Sequence, residues 1–347
     1  MRIEAVAMKV PSRTVTNEDI LRFLDTYSDG VSQQTLRSYK RFTRGLLVRA
    51  GSKVRYMRDK EKNERAAEFV LGAMKDVISK ARLATEDIDA LIYCGVGRGF
   101  LEPAMAYFYA AGMNMNCSCF DIVDACMSWT RSLEVAQGLF QSGCYKNIMI
   151  INGEFNTIEH GFPDNCVVEN LRQLEYTFPT YTIGEAATAT IVSSKDEDWS
   201  FRYVTRSNLC DLCNIPLEWF GEFVEPSPRM GKNGANNLVA YGRELFANSI
   251  DHLGELLKST IGDFNVPDIY FPHAASSEVY LITGEKLGIP REKMYADVFP
   301  RYGNVVSASI PVGMCLAIDE SKLNRGDDVV LCPASAGMSY AVVRFTY

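Results

Sequence analysis

A cysteine at a predicted junction between a strand and a helix is the residue best placed to do chemistry. The segment Phe120–Trp129 (FDIVDACMSW) predicts a short buried strand that leads directly into a helix, with Cys126 where the two meet. The N-terminus of a helix carries unpaired N–H groups and a partial positive charge, which favour a thiolate over a thiol. Cys126 is therefore a candidate nucleophile. The alternative is a small buried residue that fills the junction, the usual role of a free cysteine.

Two further polar side chains follow predicted strands near the C-terminus. His273 comes after the apolar strand 268–271, and Asn304 lies in the turn Tyr302-Gly-Asn. In parallel α/β sheets, sites form at the C-terminal ends of strands, so we expect Cys126, His273 and Asn304 to meet. A neutral imidazole and a carboxamide can donate two hydrogen bonds to one carbonyl oxygen and so stabilise an enolate. Because Gly-Asn is also a common turn dipeptide, a structural role for Asn304 stays open.

The elements that must position these residues follow a plan that occurs twice. Strands alternate with helices in both parts, which favours a parallel-rich α/β architecture. We predict two halves, residues 1–195 with the cysteine and residues 196–347 with the histidine and asparagine. The first half contains helix Glu64–Ala81, strand Ile88–Cys94, strand Cys119–Val123, a helix to Gln141 and strand Asn147–Ile151. The second contains helix Tyr241–Ile261, strand 268–271, strand Met294–Val298, a helix to about Glu320 and strand Val329–Cys332.

Composition excludes several classes of function. Of the 347 residues, 47% are apolar and 23% are charged, as in a soluble globular protein, and the net charge of −7 without a basic run argues against nucleic-acid binding. No apolar window reaches the length of a membrane helix, and the N-terminus alternates like a strand, unlike a signal peptide. The ten cysteines lie mostly in apolar runs, which indicates a reducing, cytoplasmic location. Cys210 and Cys213 lack a second pair of ligands, so no metal is predicted.

Three motifs, in this order, resemble the Cys-His-Asn set of the thiolase-fold condensing enzymes. They are Cys126 in Asp-Ala-Cys-Met-Ser-Trp, His273 in Phe-Pro-His-Ala-Ala and Asn304 in Tyr-Gly-Asn-Val-Val-Ser. The nearest pattern is the β-ketoacyl-acyl-carrier-protein synthase III group. Ile183–Ala189 (IGEAATA) resembles the mid-chain glycine turn of that group, and Pro333–Phe345 resembles its closing strand.

The resemblance implies a thiolase-like five-layer αβαβα fold, a homodimer or a close heterodimer, and chemistry on acyl thioesters of coenzyme A or acyl carrier protein, with no resident cofactor. Cys126 would take the acyl group, with the N–H groups of Cys126 and Gly337 as the oxyanion hole. His273 and Asn304 would polarise a second thioester while its α-carbon attacks the acyl-enzyme. Arg49 falls where the family places a basic residue near the nucleotide end of coenzyme A.

Departures from the family pattern are as informative as the matches. The run after the histidine ends in Glu278 where the family has an arginine that recognises the carrier protein, which counts against an acidic carrier. Glu102, followed by proline, resembles the olefin-pathway and pyrone-forming relatives, which use a base to join two acyl thioesters without decarboxylation. A helix-start signature is the alternative for Glu102. Trp129 is predicted to be a wall of the acyl-binding pocket or of the core.

We therefore expect an enzyme that forms a carbon–carbon bond between a Cys126-bound acyl group and a second acyl or β-ketoacyl thioester, in specialised or fatty-acid-derived metabolism. Acyl transfer to another acceptor and decarboxylative condensation with a malonyl thioester stay open. A non-catalytic subunit of a heterodimeric synthase is the alternative of another class, and the intact Cys-His-Asn set counts against it.

Overall fold

The computed structural model describes residues 1–159, 161–195 and 197–347. His160, for which the sequence indicates no partner, and Asp196, the first residue of the predicted second half, lie outside the described residues. The strands are β1 (Arg2–Lys9), β2 (Arg13–Thr16), β3 (Val54–Met57), β4 (Ala90–Cys94), β5 (Ser118–Ile122), β6 (Asn147–Glu154), β7 (Ala186–Ser193), β8 (Trp199–Thr205), β9 (Cys213–Asn214), β10 (Val239–Ala240), β11 (Ile269–Pro272), β12 (Asp328–Cys332), β13 (Ala334–Ser335) and β14 (Ser339–Thr346). The α-helices are α1 (Asn17–Tyr27), α2 (Gln33–Ala50), α3 (Ala66–Ala81), α4 (Met105–Gly112), α5 (Ser128–Gln141), α6 (Leu174–Thr177), α7 (Gly242–Thr260), α8 (Ser277–Leu287), α9 (Val298–Tyr302) and α10 (Ser309–Asp319).

Two five-stranded sheets are formed by the described residues. The first has the order β1-β7-β6-β4-β5, in which β4 is parallel to β5 and β6 while β7 is antiparallel to β1 and β6. The second runs β11-β12-β14, with β11 and β12 parallel and β8 and β13 both antiparallel to β14. Strands of the first sheet come from residues 2–193 and those of the second from residues 199–346. The division at residue 195 itself stays a prediction.

Helices fill the space between the sheets and cover their outer faces. Apolar side chains of α5 and α10 share one core with the facing sides of both sheets. On the outer face of the first sheet α3 and α4 pack a second core, and α7 and α8 pack a third on the outer face of the second sheet. The residues of α10 from Ser309 to Ala317 are all buried, as expected for a helix enclosed between two sheets. The result is five alternating layers of helix and sheet.

The predicted strand Met294–Val298 is wrong. Met294 makes only an isolated parallel bridge with Tyr270, and Val298–Tyr302 forms the short helix α9. A short apolar run does not distinguish a strand from a helical turn by its pattern alone.

No helix within the described ranges is long and apolar enough to cross a bilayer. All ten cysteines are free thiols.

Candidate active site

Side chains from both halves of the chain line one cavity of about 1150 Å³. Cys126 comes from the turn before α5, His273 from the end of β11, and Asn304 from the turn before α10. The structure therefore brings the three predicted residues to a common space. Apolar side chains make up much of the remaining wall, among them Leu174, Phe178, Ile183, Ile215, Leu238, Leu245, Phe246, Val279 and Met338.

Cys126 lies in a single 3₁₀ turn, Ala125–Met127, directly before α5. Ala125 has a φ of +44°, a conformation that costs a residue with a side chain about 1–3 kcal/mol and that clusters at functional sites. Ser335 holds this turn, because its Oγ accepts from the N–H of Met127 at 3.2 Å and donates to the carbonyl of Asp124 at 3.0 Å. The turn that presents the thiol is thus fixed by the segment just before β14.

The thiol of Cys126 is not activated in the way that its place before a helix predicts. Burial raises the pKa of Cys126 well above its usual range, and the neighbouring Cys213 and Glu154 raise it further. The backbone N–H groups of Ala336 and of Cys126 itself favour the thiolate, but they do not offset the loss of water. The direction of the pKa shift is thus opposite to the one that a position before a helix predicts.

His273 is held in its neutral form. Its side chain lies in the cavity wall with only 5% of its surface exposed, and burial lowers the pKa of the imidazole to about 4. At neutral pH one ring nitrogen therefore carries a proton that it can donate, and the ring bears no charge. This is the state that a hydrogen-bond donor to a thioester carbonyl requires.

Hydrogen bonds fix both the backbone of Asn304 and the oxygen of its side-chain amide. Its N–H donates to the carbonyl of Thr182 at 2.8 Å, and its own carbonyl accepts from Gly184 at 3.0 Å. Its Oδ1 accepts from the N–H of Val306 at 2.9 Å. With Oδ1 committed to the backbone, the Nδ2 group is left as the donor that Asn304 offers to the cavity.

Known proteins similar to this chain fall into one group. A family model described as 3-oxoacyl-[acyl-carrier-protein (ACP)] synthase III C terminal matches residues 265–347. The β-ketoacyl-[acyl-carrier-protein] synthase III 2 of Halalkalibacterium halodurans is 26% identical, over 99% of this chain and 96% of that protein. The β-ketoacyl-[acyl-carrier-protein] synthase III of Clostridium perfringens is also 26% identical, over 95% of this chain and 94% of its own length.

Solved structures of the same kind share the fold. The 3-oxoacyl-[acyl-carrier-protein] synthase III of Aquifex aeolicus matches with a TM-score of 0.77 and 21% identity, over 100% of this chain and 99% of that one. A Cys-to-Ser variant of OleA from Xanthomonas campestris, described with bound lauric acid and lauroyl-CoA, matches with a TM-score of 0.79 and 18% identity over 99% and 98% of the two chains. The chain thus resembles β-ketoacyl-[acyl-carrier-protein] synthase III over nearly its whole length, as its motifs predict. The predicted five-layer thiolase-like fold is confirmed, and the enzyme is an acyltransferase.

The backbone that follows β13 brings an N–H group near the Cys126 sulfur. Ala336 and Met338 line the cavity, and the N–H of Ala336 is the one that acts on the Cys126 sulfur. Gly337 lies between them with a φ of +124°, a conformation that glycine adopts readily. Ala336 is thus a further candidate for the second donor, and the predicted role of Gly337 stays a prediction.

Arg49 is exposed and lines the cavity at the last turn of α2. Among the described residues it has no ion-pair partner within 4 Å, so its guanidinium is free to meet an anion. Glu278 lies nearby, since a Cβ added at Gly51, two residues beyond Arg49, would come within 3.5 Å of its side chain. Glu278 does not itself line the cavity, but its carboxylate belongs to a side chain beside the end of α2.

Glu102 lies on the surface of its own chain. It is exposed and is not among the residues that line the cavity. The helix-start alternative is not met either, because Asp121 caps α4 by accepting from the N–H groups of Met105 at 2.8 Å and Ala106 at 3.1 Å. Glu102 therefore neither caps a helix nor faces Cys126 within one chain.

Trp129 belongs to the core. It is buried between the sheets, and its Nε1 donates to Thr190 Oγ1 at 3.0 Å. Of the two predicted roles the structure favours the core wall, because the described cavity lining does not include this ring.

Sequence reasoning did not single out several residues of the wall. Cys213 and Tyr280 both line the cavity, and burial raises the pKa of each. In the sequence Cys213 stands out only as half of a Cys-x-x-Cys pair. Among the residues the structure describes, no group of three or more potential ligands is arranged to hold a metal. Cys213 reaches the cavity wall because it lies in β9, which pairs with β10. A strand of two residues is too short to give a recognisable pattern in the sequence.

Proposed function

We propose that the enzyme joins two acyl thioesters through a new carbon–carbon bond, with Cys126 carrying one of the acyl groups. The observation that supports this is a single cavity in which a thiol from one half faces an imidazole and a carboxamide from the other. Each of these groups has a chemical role in a Claisen condensation. Two acyl thioesters must occupy such a site in turn, and a cavity of about 1150 Å³ is larger than a typical site for one small ligand.

In the first step, the sulfur of Cys126 attacks the thioester carbonyl and the departing thiol takes the proton that Cys126 loses. The negative charge that develops on the carbonyl oxygen is met by the N–H groups of Cys126 and Ala336. Because burial raises the pKa of the thiol, we place its deprotonation in this step, in which the departing thiolate of the substrate takes up the proton. The product is an acyl-enzyme and a free thiol.

In the second step, His273 and Asn304 donate hydrogen bonds to the carbonyl oxygen of the second thioester. Neutral donors stabilise the enolate as its charge develops, and the enolate carbon attacks the acyl group on Cys126. The Cys126 thiolate leaves and takes up a proton. The enolate forms by loss of an α-proton to a base or by loss of carbon dioxide from a malonyl thioester, and Glu102 is the candidate base for the first route.

We propose coenzyme A thioesters in preference to carrier-protein thioesters as substrates. Arg49 offers an unpaired guanidinium at the rim, where it can bind a phosphate of the nucleotide. Glu278, beside the end of the helix that carries Arg49, would repel the acidic surface of a carrier protein.

We propose that two copies of the chain form the working enzyme. Around Glu102 the surface is apolar: Leu101 is 75% exposed and Phe100 is 50% exposed, with its ring stacked on Phe108 at 4.5 Å. Tyr107 extends the same patch. Covering this patch with a second copy would place Glu102 against the partner, where it is able to reach the partner's cavity.

Mass spectrometry after incubation with acyl-coenzyme A tests the proposal. An added acyl mass on the peptide that contains Cys126, absent in Cys126→Ser, is expected. No acyl mass with any donor across a range of chain lengths would remove the proposal and favour a non-catalytic subunit. Malonyl and plain acyl donors, given separately to the acyl-enzyme with carbon dioxide release recorded, then separate the two routes to the enolate.

A further inference from the structure

The turn that carries Cys126 has a distinctive backbone. Ala125, with its φ of +44°, opens a 3₁₀ turn in which the N–H of Met127 donates to the carbonyl of Asp124 at 2.8 Å. The next residue, Ser128, begins α5, and its Oγ donates to the carbonyl of Ala125 at 2.8 Å. The nucleophile is the second residue of this turn.

The turn before α10 repeats that backbone. Val306, with a φ of +48°, opens the 3₁₀ turn Val306–Ala308, in which the N–H of Ala308 donates to the carbonyl of Val305 at 2.9 Å. Ser309 begins α10, and its Oγ donates to the carbonyl of Val306 at 2.8 Å. Residue by residue, Ser307 therefore occupies in the second half the place that Cys126 occupies in the first.

Ser307 faces the first half of the chain and not the cavity. Its N–H donates to Glu154 Oε1 at 3.2 Å, and its hydroxyl makes a short hydrogen bond to the same oxygen. The Oγ of Ser307 also accepts from Asn152 Nδ2 at 2.8 Å. All three residues are fully buried or nearly so, which makes these hydrogen bonds strong and their loss costly.

Glu154 also accepts hydrogen bonds from residues of the first half that line the cavity. Its Oε2 accepts from Asn156 Nδ2 at 2.6 Å and from the N–H of Val96 at 3.3 Å. Val96, Asn156 and Val306 all line the cavity. One buried carboxylate thus ties together wall segments from both halves, and Ser307 is the member from the second half.

The hydrogen bonds from Ser307 to Glu154 also affect Asn304, which lies three residues before Ser307 in the chain. Val306 separates the two, and a β-branched residue rarely adopts a φ of +48° unless its surroundings enforce it. The N–H of Val306 is the group that holds Asn304 Oδ1, at 2.9 Å. If the turn relaxed, the Asn304 amide would lose its fixed direction.

We propose that Ser307 is a positioning residue, which holds the Val306 turn against Glu154 and so aims the Asn304 amide at the second thioester. This inference rests on the proposed role of Asn304 in the condensation step. Because Ser307 acts on Asn304 and not on Cys126, its loss should slow condensation and spare acylation.

Ser307→Ala tests this, with Ser309→Ala as the matched control. Both serines are buried, but Ser309 is the first residue of α10 and its hydroxyl bonds only to the local carbonyl of Val306. We expect Ser307→Ala to lower the kcat of condensation about tenfold or more, because small misplacements of a catalytic group have effects of this size. Its KM for the second thioester and its rate of Cys126 acylation should stay within about twofold of wild type, and Ser309→Ala should leave both steps unchanged. Normal acylation also shows that the variant is folded, and Ser307→Cys, a smaller change, serves if the alanine variant does not fold.

A double-mutant cycle with Asn304→Ala shows whether Ser307 acts through Asn304. In that background the effect of Ser307→Ala should disappear. An effect that persists there, a parallel loss of acylation and condensation, or an unchanged condensation rate would each overturn the inference. The proposed function fails in a different way, by the absence of acyl mass on wild-type Cys126 or by condensation that does not depend on Asn304.

Discussion

Burial favours the uncharged forms of both ionisable members of the predicted catalytic set. It raises the pKa of the Cys126 thiol and lowers the pKa of the His273 imidazole to about 4. A thiolate–imidazolium pair is therefore not the resting state, in contrast to sites where a cysteine and a histidine exchange a proton before substrate binds. The neutral imidazole fits a donor of hydrogen bonds better than a general base.

The histidine should leave a signature in the pH dependence of stability. The pKa of His273 is about 4 when folded and about 6.5 when unfolded, so between these values the unfolded chain binds the proton and the folded one does not. The free energy of unfolding should thus fall as the pH drops from 6.5 to 4, with about 3 kcal/mol due to His273. Urea unfolding of wild type and His273→Asn across this range measures it. The variant should lose stability less steeply, and equal slopes would contradict the assignment.

Arg49 allows a second test at the level of one side chain. Arg49→Gln should raise the KM for an acyl-coenzyme A about fivefold, through loss of a charge-assisted hydrogen bond at an exposed site. The KM for the same acyl group on pantetheine, which lacks the nucleotide, should not change. Arg41→Gln, an exposed arginine of the same helix that does not line the cavity, is the control. A change with both thioesters would show that Arg49 does not act on the nucleotide.

At the scale of elements, the site depends on a close crossing of two backbone segments. Ile183 bridges to Asn304, and a Cβ at Gly184 would lie 2.0 Å from the carbonyl of Tyr302. Gly303 is equally restricted, with a φ of +74° and only 2.5 Å from its added Cβ to the carbonyl of Thr182. These glycines let the chain bring Asn304 against the first half.

Two glycine-to-alanine substitutions should therefore have opposite effects. Gly184→Ala forces the crossing apart and should lower the free energy of unfolding by about 1–3 kcal/mol. Gly138→Ala, on the exposed face of α5 with no atom within 4 Å of the added methyl, should raise it by about 0.5–1 kcal/mol. Denaturant titration of both variants provides the measurement. A neutral Gly184→Ala would show that the crossing has room to adjust.

Local patterns predicted the elements but not the contacts between them. The helix to Gln141 and the strand beginning at Asn147 end and start as predicted, because periodicity and turn residues lie within one window of sequence. The contact of Ala336 with the thiol and the bond from Ser307 to Glu154 join residues more than 150 positions apart. Such pairings arise from how the sheets stack, and one sequence carries no local sign of them.

At the scale of the whole molecule, the exposed carboxylate of Glu102 has a use only if a second copy covers its surroundings. The apolar patch around Leu101 supplies the driving force for that contact. Two variants that are each inactive alone should then regain activity when they form mixed dimers.

The condensation activity of a mixture of Cys126→Ser and Glu102→Gln chains tests this expectation. Each mixed dimer would hold one site with both groups intact, provided that Glu102 serves the partner's cysteine. Random assortment then gives about a quarter of the wild-type condensation activity, from two preparations that are each inactive alone. Leu101→Asp in both chains, which should weaken the dimer, is the control. A mixture as inactive as its components would place Glu102 outside the reaction or within its own chain's site.

The raised pKa of the Cys126 thiol also bears on its reaction with oxidants. Peroxides oxidise the thiolate and hardly touch the thiol, so the empty enzyme should tolerate oxidants that would quickly disable an exposed, ionised cysteine. The vulnerable moments would be confined to turnover, whenever a departing product leaves the sulfur charged before it regains its proton.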